Sequence, residues 1–182
     1  MVAVGILPVT LHNGELLFLF GKENDLERSA KGFSCFGGKQ EPGESLLDTA
    51  AREGAEELSG FLGDSVVLKR LLREQHGRHP VVFRTDQGYH TFLLYIPYDE
   101  TLVTCYNQHH RFLWHKLDKQ WLSRTKCFEK SELRWFPVSD LVPRKQRVFR
   151  PFYRTVVNML LANKDTIESF VRHHARAQLV GG

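Results

Sequence analysis

One stretch constrains this chain more than any other: Gly38-Lys-Gln-Glu-Pro-Gly-Glu44-Ser-Leu-Leu-Asp-Thr-Ala-Ala-Arg52-Glu53-Gly-Ala-Glu56-Glu57. Pro42-Gly43 supplies a turn, and Ser45 with Asp48 three residues on forms a capping pattern, so a helix is predicted over about 45–58. Leu47, Ala50, Ala51, Gly54 and Leu58 recur at helical spacing as a core-facing stripe. A glycine inside a helix costs about 1 kcal/mol against alanine, so Gly54 marks close packing, and Gly60 is the expected C-cap. Glu53, Glu56 and Glu57 stand at i, i+3 and i+4 and crowd three carboxylates into one turn. Like charges at that spacing destabilise an isolated helix by a few tenths of a kcal/mol per pair. A cation is therefore expected there. Arg52 is one candidate partner, for Glu56 four residues on, and a hard divalent ion with oxygen ligands is another.

The segment resembles the signature box of the Nudix hydrolases, G-x5-E-x7-R-E-U-x-E-E-x-G-U, where U is a bulky aliphatic residue. Gly38, Glu44, Arg52, Glu53, Glu56 and Glu57 fill the fixed glycine and polar positions, and Phe33-Ser-Cys-Phe-Gly37-Gly38 is similar to the loop before the box. Three residues depart from the pattern: Phe36 stands where proline is usual, Gly54 where an aliphatic residue is usual, and Ser59 at the last glycine. A one-residue slip, with Gly60-Phe61 as the closing pair, would restore the end without moving an acid.

The resemblance implies an α/β fold, an α/β/α sandwich with a mixed β-sheet between helices. It implies divalent-metal-dependent hydrolysis of a pyrophosphate bond in a nucleoside diphosphate linked to another moiety, with Mg²⁺ (or Mn²⁺) as cofactor. On that basis Glu53, Glu56 and Glu57 are carboxylate ligands, and the carbonyl of Gly37 or Gly38 is a further one. Glu53 is also the general-base candidate. Glu44 and Arg52 form a structural pair that holds the loop against the helix. An acid from outside the box is expected to join them. Glu132, three before Trp135, is the first candidate, with Glu129 and Glu100 as alternatives. Lys39, Arg84 and His90 are candidate substrate contacts.

Charge is unevenly spread. Residues 1–64 hold 5 basic and 11 acidic side chains and the remainder 20 and 10, consistent with a net charge of +4. The acidic part carries the helix described above, and the basic part suits an anionic substrate. From Leu141 to Lys164 there are six basic residues and no acid. Cys35, Cys105 and Cys127 are odd in number and widely spaced, as expected of reduced thiols in a cytoplasmic or nuclear setting. The apolar N-terminus is broken by Asn13-Gly14, a hairpin signal, and no membrane span is expected.

Strands are predicted near 2–11, 15–21, 32–36, 65–73, 88–97 and 133–138, and further helices near 150–162 and 165–177. The whole chain, 1–182, reads as a single domain with an inserted segment at about 101–131 and a basic helical tail at about 144–177. Between Glu74 and Gln87, Arg73, His76, Arg78, His79 and Arg84 surround Val81-Val82-Phe83, a candidate hairpin or flap. The inserted segment mixes Tyr106, His109, His110, Phe112, Trp114 and Trp121 with cations such as Lys119 and Lys126, a composition that suits stacking on bases and neutralising phosphates, or anchoring of an inserted helix to the sheet through Phe112, Trp114 and Trp121. A nucleotide or nucleotide derivative is the expected partner of a monomer or homodimer, and RNA is the alternative. Capped-RNA hydrolysis, diphosphoinositol polyphosphate hydrolysis and a catalytically silent nucleotide-binding module are the alternative functions.

Overall fold

The computed structural model describes residues 2–26, 31–77, 81–125 and 128–180. Arg78, His79, Lys126 and Cys127, named above from sequence, lie outside the described residues. Strand β1 (Ala3–His12) turns into β2 (Glu15–Glu23) through Asn13 and Gly14, at φ 51° and 78°, the left-handed pair that a two-residue hairpin requires. β1 is the axis of a seven-stranded mixed sheet. Its second half pairs antiparallel with β2, its first half antiparallel with β4 (Phe36–Lys39), and its length runs parallel to β6 (Tyr89–Tyr95). β5 (Val82–Arg84) lies outside β6 as the expected hairpin partner, while β3 (Phe33–Ser34) and β7 (Lys130–Pro137) pair with β2.

Helices cover both faces of the sheet, and the strand periodicity divides the side chains between them. Leu7, Val9, Phe18, Phe20, Phe136 and Leu93 join one buried layer with Val156, Leu160, Ile167 and Val171 of α5 (Arg154–Ala162) and α6 (Lys164–Val180). Val4, Ile6, Leu19, Phe92 and Leu133 join the other with α1 (Leu46–Glu57), α2 (Ser65–His76) and Tyr106 of α3 (Glu100–Lys116). This is the expected α/β/α sandwich. The inserted segment is helical, with α4 (Lys119–Thr125) following α3. Tyr106 docks it by donating to the Lys130 carbonyl at 2.9 Å, and Asn107 bonds both the amide and the carbonyl of Leu133.

Residues 65–73 are not a strand. Asp64 caps α2 by accepting from the Val67 amide at 2.9 Å, and Leu68, Leu72 and His76 are buried at a helical interval. The β-branched pair Val66-Val67 suggested a strand, but Val66 is 74% exposed, so one face is left to solvent as an amphipathic helix requires.

Helix α1 begins as predicted, with reciprocal bonds between Ser45 and Asp48. Its end differs by one residue. Leu58 is the C-cap and Ser59 carries the left-handed conformation, φ 52°. The Gly60 amide donates to Ala55 O at 2.9 Å and the Ser59 amide to Glu56 O at 3.0 Å, the paired bonds of a Schellman ending. No slip to Gly60-Phe61 is needed, because Ser59 adopts the glycine conformation itself. A Cβ on Gly54 would lie 2.5 Å from Ile6 Cδ1, so α1 sits directly on β1 at that point.

Strand β7 contains one extra residue. Lys22 is opposite Glu132 and Glu23 is opposite Lys130, so Ser131 has no partner position and instead bonds the Lys22 and Glu23 carbonyls through its hydroxyl. This bulge turns Lys130 towards the α1 face.

Candidate active site

The site is assembled where α1 lies over β4. Arg52 organises it. Its Nε and Nη2 donate to the two oxygens of Glu44 at 2.7 and 3.1 Å, a forked pairing. The same guanidinium reaches Glu53 at 2.9 Å, Glu56 at 3.3 Å and the Lys39 carbonyl at 3.1 Å. Glu44 also accepts from the Glu41 amide and the Thr49 hydroxyl. Its hydrogen bond from Arg52 is the main reason its pKa falls to about 2. The pairing of Glu44 with Arg52 expected from sequence is thus present, and it ties the loop before α1 to the helix.

The two glycines ahead of the loop admit two different acids. A Cβ on Gly38 would stand 2.5 Å from the Glu53 carboxylate, so Glu53 rests on the bare backbone there. A Cβ on Gly37 would stand 2.3 Å from Gly5 Cα and 2.4 Å from Val4 O, so β1 and β4 meet at glycine for lack of room. The Gly37 amide donates to Glu57 Oε2 at 2.6 Å.

The three box acids do not share one environment. Glu56 is exposed, Glu53 is partly covered, and Glu57 is buried. Glu57 Oε1 is 3.0 Å from Nζ of Lys130, which also reaches Glu23 Oε1 at 2.5 Å. Glu23 in turn meets Arg150 at 2.6 Å. Lys130 is completely buried, and burial opposes its charge, yet Glu57 and Glu23 outweigh that and hold its pKa above the ordinary lysine value.

Other predicted residues fall in two places. Arg84 pairs with His90, His90 with Val4, and Val4 with Gly38, which makes one row across the sheet. Strand spacing puts His90 about 10 Å and Arg84 about 14 Å from Gly38. Burial is the larger cause, and Arg84 the lesser, of the lowered pKa of His90. Glu132 stands apart. It pairs with Arg134 at 2.6 Å and with Lys22 at 3.9 Å, and Arg134 lies over the rings of Phe33 and Phe136 in the layer opposite α1. Alternation explains this placement, since Leu133 faces α1 and Glu132 therefore the other layer, while the bulge sends Lys130 inward. Besides Glu129, whose charge acts on Glu57, the acid from outside the box that reaches this cluster is Glu23, which sequence reading did not single out. Its signal was a glutamate ending a strand of otherwise buried residues. Lys130 gave no such signal, because one lysine in a basic half of the chain reads as surface.

The donor set fits a divalent cation at two of the three acids. Glu53 and Glu56 are hard oxygen donors on adjacent turns beside the exposed surface. Glu57 differs from them, because it is buried with an ammonium on one oxygen and the Gly37 amide on the other. Among the described residues, no three His, Cys, Asp or Glu side chains converge as a metal cage.

The family model of the NUDIX domain matches residues 1–157. The chain belongs to the NUDIX family. The family is one of hydrolases that act on nucleoside diphosphate derivatives and generally use divalent metal ions. Among solved structures, it is similar to the NUDIX hydrolase RenU from M. smegmatis, with a TM-score of 0.52, 17% identity, and coverage of 92% of this chain and 88% of that one. It is also similar to an Ap4A hydrolase from C. elegans, with a TM-score of 0.50, 14% identity, and coverage of 90% and 97%. At such identities the likeness is one of fold. A curated relative, uncharacterized protein L534 of Acanthamoeba polyphaga mimivirus, is 48% identical over 59 residues, which is 31% of this chain and 19% of that protein's length. Within the NUDIX box, the unusual Phe36 is fully buried in the α1-side layer and pairs with Ile6. Among the described residues, no helix is long and apolar enough to cross a membrane.

Proposed function

We propose that this NUDIX protein hydrolyses a pyrophosphate bond in a nucleoside diphosphate linked to another moiety, releasing a nucleoside monophosphate and a phosphorylated product. One observation carries the reading: Arg52 presents Glu53 and Glu56 side by side, with Glu53 resting on the bare backbone of Gly38. Held by Glu53 and Glu56, Mg²⁺ or Mn²⁺ would neutralise phosphate oxygens and lower the pKa of a water. Glu53 would take the proton of the attacking water, whose oxygen bonds to phosphorus as the bridging P–O bond breaks and its electron pair leaves with the departing phosphate. Arg52 keeps Glu53 oriented, and Glu44 keeps Arg52 in place. Glu57 fixes the Gly37 amide and hence the loop. Lys39, His90 and Arg84 offer charge and hydrogen bonds to the rest of the substrate.

A small substrate is favoured over capped RNA by how the basic run is used. Lys145 pairs with Asp140, Arg150 with Glu23, and Arg154 with the Gln146 carbonyl. Three cations of the run are thus engaged within the fold, while Arg144, Arg147 and Lys164 are exposed. In the inserted segment, Trp114 is already stacked on His110 and covered by Lys119.

The test is a panel of nucleoside diphosphate derivatives, dinucleoside polyphosphates, capped RNA and diphosphoinositol phosphates, incubated with Mg²⁺ or Mn²⁺ and with chelator. Nucleoside monophosphate release that chelator abolishes is expected, and Glu56→Gln should lower kcat by about a hundredfold or more. Near-normal turnover in that variant would refute the assignment. RNA affinity falling steeply between about 50 and 200 mM salt would point to the polymer instead.

A further inference from the structure

The acids of α1 were expected to need a cation, Arg52 or a divalent ion, yet the buried one has a different cation of its own, Lys130. We propose that the Lys130 ammonium takes the cation position at Glu57, so that Glu57 anchors the loop and the metal site is confined to Glu53 and Glu56. The proposal rests on the metal-dependent reading above and makes it specific to this chain.

Four features show that the lysine is built in. Both oxygens of Glu57 are engaged, Oε2 by the Gly37 amide at 2.6 Å and Oε1 by Lys130 at 3.0 Å. The ammonium is shared with Glu23, whose carboxylate Arg150 also meets, so two cations face the buried acids. Gly21 on β2 makes room for the stem, since a Cβ there would lie 2.7 Å from Lys130 Cγ and 2.9 Å from Cδ. Finally, the Ser131 bulge points Lys130 at this cluster, and the Tyr106 hydroxyl fixes its carbonyl.

Removing one partner of a buried ion pair is strongly destabilising, because the other charge is left without compensation. A divalent ion could reach Glu57 only by expelling the ammonium from a fully buried position. Such an exchange is disfavoured unless the ammonium has somewhere polar to go, and the stem is enclosed by Gly21 and Phe36. Two carboxylates therefore remain for metal.

Counting bound Mn²⁺ by electron paramagnetic resonance tests this on the full chain. Glu56→Gln should weaken Mn²⁺ binding by about a hundredfold, whereas Glu57→Gln, which loses no contact with the ion, should weaken it by about tenfold at most. Lys130→Met should gain one further ion whose binding raises Tm, and adding Glu57→Gln to it should remove that ion. The double variant deletes both charges of the pair, so it is also the control for folding. Equal weakening in Glu56→Gln and Glu57→Gln would overturn the proposal, as would an unchanged count in a folded Lys130→Met. Nucleoside monophosphate release is scored separately. Mn²⁺ counts as expected without cleavage of any nucleotide would refute the reaction while supporting the role of the lysine.

Discussion

Gly37→Ala is the substitution with the most calculable outcome. The added methyl would meet Gly5 Cα at 2.3 Å, Val4 O at 2.4 Å and Gly5 N at 2.8 Å, all of them backbone atoms of the central strand. No rotamer change relieves such contacts, so β4 must move away from β1. Overpacking of this kind costs about 1–3 kcal/mol. The same movement lengthens the 2.6 Å bond from the Gly37 amide to buried Glu57, and a hydrogen bond to a charged group contributes about 1.5–3 kcal/mol. Because one displacement causes both losses, they are coupled, and a destabilisation of about 3–5 kcal/mol is expected. That is a large share of the roughly 5–15 kcal/mol by which domains are stable. Urea unfolding followed by circular dichroism gives the number directly. Gly43→Ala is the control: it has φ 86° but nothing within 4 Å of its Cβ, so it should lose only the left-handed preference, about 1–2 kcal/mol. A Gly37→Ala variant within about 1 kcal/mol of the parent, or more stable than Gly43→Ala, would refute the claim that the strands meet through glycine.

Two further predictions follow from the same geometry. Gly38→Ala pushes on the carboxylate of Glu53, a side chain that can swing away. It should melt within a few degrees of the parent yet turn over about a hundredfold more slowly, as misplacement of a reacting group by about 1 Å can do; thermal melts beside product assays decide it. Glu44 has a pKa of about 2 in the folded chain against an unperturbed 4.5. A depressed carboxyl pKa stabilises the fold above the unperturbed value and loses that contribution as pH falls towards the folded one. Stability should therefore decline between about pH 4.5 and 2, and Glu44→Gln should flatten that decline in urea titrations across the range.

The parts of this molecule that are legible in sequence are those set by local pattern. Asn13-Gly14 specified a hairpin, Ser45 and Asp48 the start of α1, and the fixed spacing of Gly38, Glu44 and Arg52 the pairing of the loop with the helix. Gly54 marked a close approach that is met by Ile6. Helix α2 was misread because Val66 and Val67 outweighed a single capping residue, Asp64, whose role depends on a bond to an amide three residues ahead. The Glu23, Lys130 and Glu57 cluster was invisible for a different reason. Its members are separated by most of the chain and are brought together by strand pairing and by an irregularity in that pairing. Glu132 was favoured over Lys130 because it is acidic and precedes Trp135, but the side of the sheet that a residue occupies is decided by register.

That irregularity has a consequence for how such a chain can diversify. Side-chain direction along β7 changes with every residue, so the unpaired Ser131 decides whether Lys130 enters the interior beside Glu57. Were this stretch paired without the bulge, Ser131 would stand opposite Glu23 and a hydroxyl would replace the internal ammonium without altering the box itself. Ion requirement could then drift between relatives whose signature residues are identical, through a change some seventy positions away from them.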